Sequence, residues 1–157
     1  MSITTLKAEL AAARAYLNSV LDQVGDRWDT QIYSDGAAWT AHQLLIHLAV
    51  TEQGQVNTVM AVAEGGNPVP EDFDLNRYNK RSVEKRAEMT VEQARQQLDD
   101  TRERFNEWLD HLDEATLDLT GRHGSLKVMS IAEFLQTIAG HERAHADDMA
   151  RVLRIST

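Results

Sequence analysis

One local pattern occurs three times in this chain and constrains its fold more than any other feature. A serine or threonine is followed three residues later by glutamine or glutamate in Thr40-Ala41-His42-Gln43, Thr90-Val91-Glu92-Gln93 and Ser130-Ile131-Ala132-Glu133. In such a capping box, each of the two side chains accepts a hydrogen bond from a backbone N–H that the first helical turn leaves free. The pattern therefore predicts three points at which helices begin.

Apolar residues recur at intervals of three and four after each capping box, and also near the N-terminus. This spacing is typical of helices that bury one face. It predicts a first helix over residues 5–24 that ends at Gly25, and a second from Thr40 to Gly65. A third helix is predicted from Thr90 to residue 112, and a fourth from Ser130 to Leu153. Residues 25–39 and 113–129 show no strand-like alternation and are predicted to be loops.

The connection over residues 67–89 is unusually long. Pro68 and Pro70 favour an extended start, and residues 74–88 are again helical in pattern. A crossover of this length can run the full height of a bundle, so the third helix can lie parallel to the second. We therefore predict an all-α four-helix bundle with a short helix in the crossover, formed by residues 1–157 as a single domain.

Composition excludes several classes of function. The chain has no cysteine, which rules out disulfides, thiolate zinc sites and a cysteine nucleophile, and suits the cytoplasm. A formal net charge of −9 argues against a nucleic-acid partner. No apolar run is long enough for a membrane span, and the N-terminus lacks a secretory pattern. The basic residues between positions 77 and 86 are interleaved with acids and are predicted to form a solvated helix face.

Three of the six histidines lie on core-facing stripes: His47 on the second helix, and His141 and His145 one turn apart on the fourth. Three neutral imidazoles can hold a metal and leave a fourth tetrahedral position open, as in catalytic zinc sites. All-nitrogen ligation favours zinc or nickel. The alternative is three core histidines, each with its own buried hydrogen-bond partner. His123, between two glycines, is predicted to lie on the surface.

The segment His141-Glu142-Arg143-Ala144-His145 also matches the H-E-x-x-H pattern of zinc metalloproteases, in which the glutamate is a general base. Those enzymes take a third ligand further downstream, and no histidine follows His145. We therefore disfavour a protease. Glu142 is retained as a candidate catalytic base, with a surface carboxylate as the alternative, and Gln55, Tyr78 and Asn79 are predicted to lie near the site.

In combination, Trp39-Thr40-x-x-x-Leu44-x-x-His47-Leu48, Ser130-x-x-Glu133-Phe134 and His141-x-x-x-His145 resemble the DinB/YfiT-like superfamily. The similarity covers nearly the whole chain. It implies an up-down-down-up bundle, often a homodimer, in which His47, His141 and His145 hold a divalent metal. Residues 73–79 are similar to the crossover of proteins related to mycothiol-dependent maleylpyruvate isomerases.

The resemblance also implies chemistry. Relatives use low-molecular-weight thiols such as mycothiol, bacillithiol or glutathione, so the chain is expected to be a metal- and thiol-dependent S-transferase or isomerase acting on a small electrophile. One alternative is a metal-dependent hydrolase that activates water, with Glu142 as base. Another is a non-catalytic stress-response module that the metal stabilises.

Overall fold

The computed structural model describes residues 1–157 and contains five α-helices, a short 3₁₀-helix and two β-hairpins. In chain order the elements are α1 (Ile3–Leu21), β1 (Gln31–Ser34), β2 (Ala37–Thr40), α2 (Ala41–Ala63), α3 (Leu75–Glu84), α4 (Val91–Asp110), the 3₁₀-helix (Glu114–Asp118), β3 (Thr120–Arg122), β4 (Val128–Ser130) and α5 (Ile131–Leu153). The four main helices of the prediction are α1, α2, α4 and α5. No helix combines the length and apolar character that a membrane crossing needs.

The helix starts are where the capping boxes place them. Thr40, Thr90 and Ser130 each accept from the backbone N–H three residues later, and the partner side chain of each box reaches back. The first helix differs from its prediction at both ends: it begins at Ile3, because the Ser2 side chain caps it, and it ends at Leu21. The crossover helix α3 covers only Leu75–Glu84 of the predicted residues 74–88.

The two segments predicted as loops contain short antiparallel hairpins. Strands β1 and β2 are joined by Asp35 and Gly36, which have φ angles of 51° and 78°. Positive φ at both central residues is the conformation of a type I′ turn, which Asp-Gly favours. Ile32 and Ser34 are the buried residues of β1. Strands of three or four residues are too short to reveal alternation, so the prediction missed them.

Each hairpin is tied to the start of the helix that follows it. The backbone N–H of Ala41 donates to the carbonyl of Thr30 at 3.0 Å, and that of Ile131 donates to the carbonyl of Leu119 at 2.9 Å. The cap residue of each helix is also the last residue of a strand. The hairpins therefore hold their own side chains in fixed positions relative to α2 and α5.

The buried apolar residues form two clusters stacked along the bundle, and each main helix contributes to both. We call the cluster that contains Leu6 the lower cluster and the one that contains Leu17 the upper cluster. The N-terminal halves of α1 and α5 lie in the lower cluster and their C-terminal halves in the upper cluster. Helices α2 and α4 run in the opposite direction, with their N-terminal halves in the upper cluster. Each helix has residues in both clusters; a lower and an upper example are Leu6 and Leu17 in α1, Val59 and Leu44 in α2, Phe105 and Leu98 in α4, and Phe134 and Met149 in α5. The topology is therefore up-down-down-up, with α2 parallel to α4, as predicted.

A polar layer separates the two clusters. Arg14, Glu52, Arg102 and Glu142, one from each main helix, are each at most 8% exposed. Arg14 donates to Glu52 and to Glu142, both at 2.5 Å. Arg102 donates to Glu52 at 2.5 Å and to Glu142 at 3.1 Å. We call this set the ion quartet; its two positive and two negative charges balance, which allows all four to be buried.

Candidate metal centre

The three core-facing histidines come together beside the ion quartet. The Nε2 atom of His141 lies 3.2 Å from Nε2 of His47 and 2.9 Å from Nε2 of His145. One ring nitrogen from each residue falls within 4.8 Å of the others. His47 and His145 are 3% and 1% exposed, and His141 is partly exposed. The structure thus unites ligand candidates that are almost a hundred residues apart in the chain.

Polar side chains orient two of these rings from the outside. Ser34 Oγ donates to Asp148 Oδ2 at 2.5 Å, so it must accept from Nδ1–H of His145, which lies 2.6 Å away. A neutral imidazole with its proton on Nδ1 has a lone pair on Nε2, and that lone pair faces the cluster. Nδ1 of His47 lies 3.2 Å from Thr51 Oγ1. Such outer contacts are typical of metal-binding histidines.

Burial keeps the rings neutral. Removal from water, together with the neighbouring His145, lowers the pKa of His47 to about 3. The pKa of His141 is lowered well below its usual value, first by burial and then by the other histidines. Burial also lowers the pKa of His145, although Asp35 and Asp148 act in the opposite direction. Neutral imidazole is the form that binds metals, so the electrostatics of the site match its donor set.

The spacing of the nitrogen atoms fits a metal ion. Ligands at the 2.0–2.1 Å typical of Zn–N bonds, placed at tetrahedral corners, are separated by about 3.3 Å. The distances of 3.2 and 2.9 Å at His141 are close to this value. A proton on one nitrogen could satisfy only one of the contacts, whereas a cation attracts all three lone pairs. The residues present therefore fit a divalent metal.

A cavity of about 400 Å³ opens on the cluster. His141 and Thr51 form its inner end, and the predicted pocket residues Gln55, Tyr78 and Asn79 belong to its wall. The other lining residues come from both hairpins, α2, the crossover and α5, and include one carboxylate, that of Asp35: Asp35, Gly54, Thr58, Pro68, Val69, Pro70, Phe73, Leu75, His123, Gly124, Ser125, Phe134 and Thr137. The crossover thus forms part of the wall of a pocket that reaches the histidine cluster at His141.

His123 is a residue of this cavity that the sequence analysis wrongly placed on the surface. It is half-buried on the hairpin β3–β4, with its ring centroid 5.3 Å from that of Phe134. Its Nε2 lies 3.0 Å from the amide nitrogen of Gln55, and its Nδ1 accepts from the Ser125 backbone N–H at 3.0 Å. Burial lowers its pKa. The available signal in the sequence was its position between two glycines, Gly121 and Gly124.

Glu142, the candidate base, does not join the histidine cluster. Its Oε1 accepts from Arg14 and its Oε2 from Arg102, so both carboxylate oxygens are engaged in the ion quartet. Glu142, which the sequence analysis named as a candidate base beside the metal, therefore lies in the ion quartet next to the histidine cluster. The alternative of a surface carboxylate is wrong, because Glu142 is only 4% exposed.

Comparisons with known proteins agree with this architecture. A model of the DinB superfamily matches residues 9–149. No curated protein matches the chain significantly. Among solved structures, YfiT from Bacillus subtilis, described as a probable metal-dependent hydrolase with an unusual four-helix bundle topology, is similar with a TM-score of 0.75. The two are 17% identical over 99% of this chain and 91% of YfiT, a likeness that establishes the fold alone.

Proposed function

Since the chain belongs to the DinB superfamily, we propose that it binds one divalent metal ion through His47, His141 and His145 and uses it in chemistry on a small molecule. The observation that carries this proposal is the convergence of three neutral imidazole nitrogens, with His141 of the cluster also lining a cavity. Three protein ligands leave one tetrahedral position for a ligand. Zinc and nickel are the metals that an all-nitrogen set favours.

The chemistry that we propose is transfer of a thiol to an electrophile. A divalent metal, when bound, supplies a positive charge that lowers the pKa of a thiol held at the open position. The chain has no cysteine, so the thiol comes from a second small molecule. In the transfer a sulfur–carbon bond would form, the S–H bond would break, and a leaving group such as chloride would depart with the electron pair of its bond to carbon.

His123 is the cavity residue suited to moving a proton. Both of its ring nitrogens are positioned by neighbours, and burial favours its neutral form. Because Nδ1 accepts from Ser125, the neutral ring carries its proton on Nε2, and it can give this proton to the product and regain one from the thiol. Glu142 is not assigned this role, because its oxygens accept from arginines.

Hydrolysis is the second candidate. Its support is the similar fold of YfiT, which is described as a probable metal-dependent hydrolase. In that reaction the same histidines would hold the metal, and His123 would take a proton from water. The two candidates share the metal centre and differ only in the nucleophile.

The first experiment measures metal content in protein purified without a histidine tag. We expect about one equivalent of zinc or nickel in the wild type and a loss of most of it in His47→Ala. The control is His111→Ala, which removes an exposed histidine at the end of α4. Equal metal content in all three proteins would refute the site.

The second experiment separates the two reactions. Turnover of monochlorobimane that requires both metal and an added thiol supports the transferase. Hydrolysis of a p-nitrophenyl ester without thiol supports the hydrolase. Metal-dependent stabilisation with neither activity would contradict both and favour a non-catalytic role.

A further inference from the structure

A second depression lies on the outer side of the crossover. Its walls come from residues 70–74, from one face of α3 and from the two residues that follow this helix, and four of its side chains are cationic: Arg77, Arg81, Lys85 and Arg86. We call it the cationic groove. It stands out in a chain whose formal net charge is −9.

The cations of the groove lack carboxylate partners. None of the four has a carboxylate oxygen within 4.0 Å, whereas Lys80, on the same helix but outside the groove, pairs with Glu84. Arg86 donates to the Ser82 carbonyl. Because the charges are not neutralised by the protein, they are available to an anion.

Two acidic residues also line the groove. Asp72 is exposed, and Asp74 caps α3 by accepting from the Arg77 backbone N–H at 3.1 Å. With four positive and two negative side chains, the groove has a net charge of +2. The field inside it therefore favours negative ligands.

The groove adjoins the cavity that ends at the histidine cluster. Pro70, Phe73 and Tyr78 belong to the walls of both. The Phe73 and Tyr78 rings lie 5.3 Å apart, and Tyr78 is 43% exposed at this shared rim. A cavity ligand that extends past these shared residues therefore reaches the cations.

We propose that the ligand of the cavity is an apolar molecule with an anionic group, such as a carboxylate or sulfonate, which the cationic groove binds. This inference deepens the proposed function, since it rests on the cavity as the ligand site, but it requires neither the metal nor turnover. It also gives the basic residues of α3 a role other than the solvated helix face predicted from the sequence.

A matched pair of fluorescent dyes tests the proposal. 1-Anilinonaphthalene-8-sulfonate and N-phenyl-1-naphthylamine share the same aromatic body, and only the first carries a sulfonate. With protein of known metal content, we expect the sulfonate dye to bind about fivefold more tightly at low salt, as expected when a few exposed charge pairs act together. This difference in affinity should shrink in about 0.5 M NaCl, because salt at that concentration screens exposed charges that are more than a few ångströms apart.

Variants locate the effect. Arg81→Gln/Lys85→Gln should abolish the preference for the sulfonate dye, whereas Lys80→Gln/Arg143→Gln, which removes the same number and type of charges outside the groove, should retain it. Equal affinities for the two dyes, an equal loss in both variants, or no binding of the sulfonate dye would each overturn the proposal. Because neither metal content nor turnover is the readout, such a failure is distinct from failure of the metal-centre proposal.

Discussion

Ser34 and His145, which are 111 positions apart in the chain, are joined by a hydrogen bond of 2.6 Å between Oγ and Nδ1. The Ser34 hydroxyl donates to Asp148 Oδ2, so its oxygen accepts from Nδ1–H of His145 and leaves the Nε2 lone pair facing the cluster. The hairpin β1–β2 thus contributes to the candidate metal centre without supplying one of its three histidines.

Replacing this serine should weaken metal binding without unfolding the bundle. In Ser34→Ala, Nδ1 of His145 loses its acceptor, and we expect metal affinity to fall by about 10- to 100-fold, the usual effect of removing an outer partner of a histidine ligand. Competition with a chelator measures it. Asp147→Asn is the control, because Asp147 is exposed and contacts Tyr16 instead. Unchanged affinity in Ser34→Ala would show that the contact does not orient the ring.

Removal of a charge from the ion quartet should reduce stability far more than metal content. Glu142→Gln leaves two buried arginines against one glutamate, which should lower the free energy of unfolding by about 3 kcal/mol. Urea denaturation gives this value. Glu103→Gln, an exposed change on α4, should alter it by no more than about 0.5 kcal/mol. If folded Glu142→Gln lost its metal but kept its stability, Glu142 would belong to the metal centre.

The metal-free protein should become less stable as the pH falls. Burial and the neighbouring His145 lower the pKa of His47 to about 3, whereas an unfolded histidine has its pKa near 6.5. Between pH values of about 3 and 6.5, His47 is protonated in the unfolded state and neutral in the folded state. Stability is therefore full above pH 6.5 and is lost below it, by about 1.4 kcal/mol per pH unit for each such proton.

Denaturation with urea at pH 7, 6 and 5 measures this slope. His141 and His145 act in the same direction, since their pKa values are also lowered. The variant His47→Gln removes one titrating group and should show a shallower slope. A slope that does not change in this variant would mean that His47 is not responsible.

His123 should affect turnover rather than metal binding. In His123→Gln we expect unchanged metal content and a loss of roughly 10²-fold in the thiol-dependent or hydrolytic rate, as is typical when a proton-transferring group is removed. The comparison is His111→Gln, which lies outside the cavity. Wild-type rates in His123→Gln would leave the residue as a part of the wall only.

Local signals account for what could be predicted of the helices. A capping box involves four consecutive residues, so Thr40, Thr90 and Ser130 mark helix starts independently of the rest of the chain. The apolar stripes likewise place His47, His141 and His145 toward the core. The short hairpins were not predicted, because strands of three or four residues are too short to show an alternating pattern. Asp35-Gly36 was a turn signal for the first hairpin.

Helix periodicity and capping depend on near neighbours, so the four main helices, the long crossover and the core-facing positions of the three histidines could be predicted from the sequence. The three-dimensional structure was needed to identify the partner of each buried charge and the side chains that reach the histidine cluster. The partners of Glu142 are Arg14 and Arg102 on other helices, and Ser34 and His123 arrive on hairpins. Such contacts depend on helix rotation and height, which a residue's sequence neighbours do not specify.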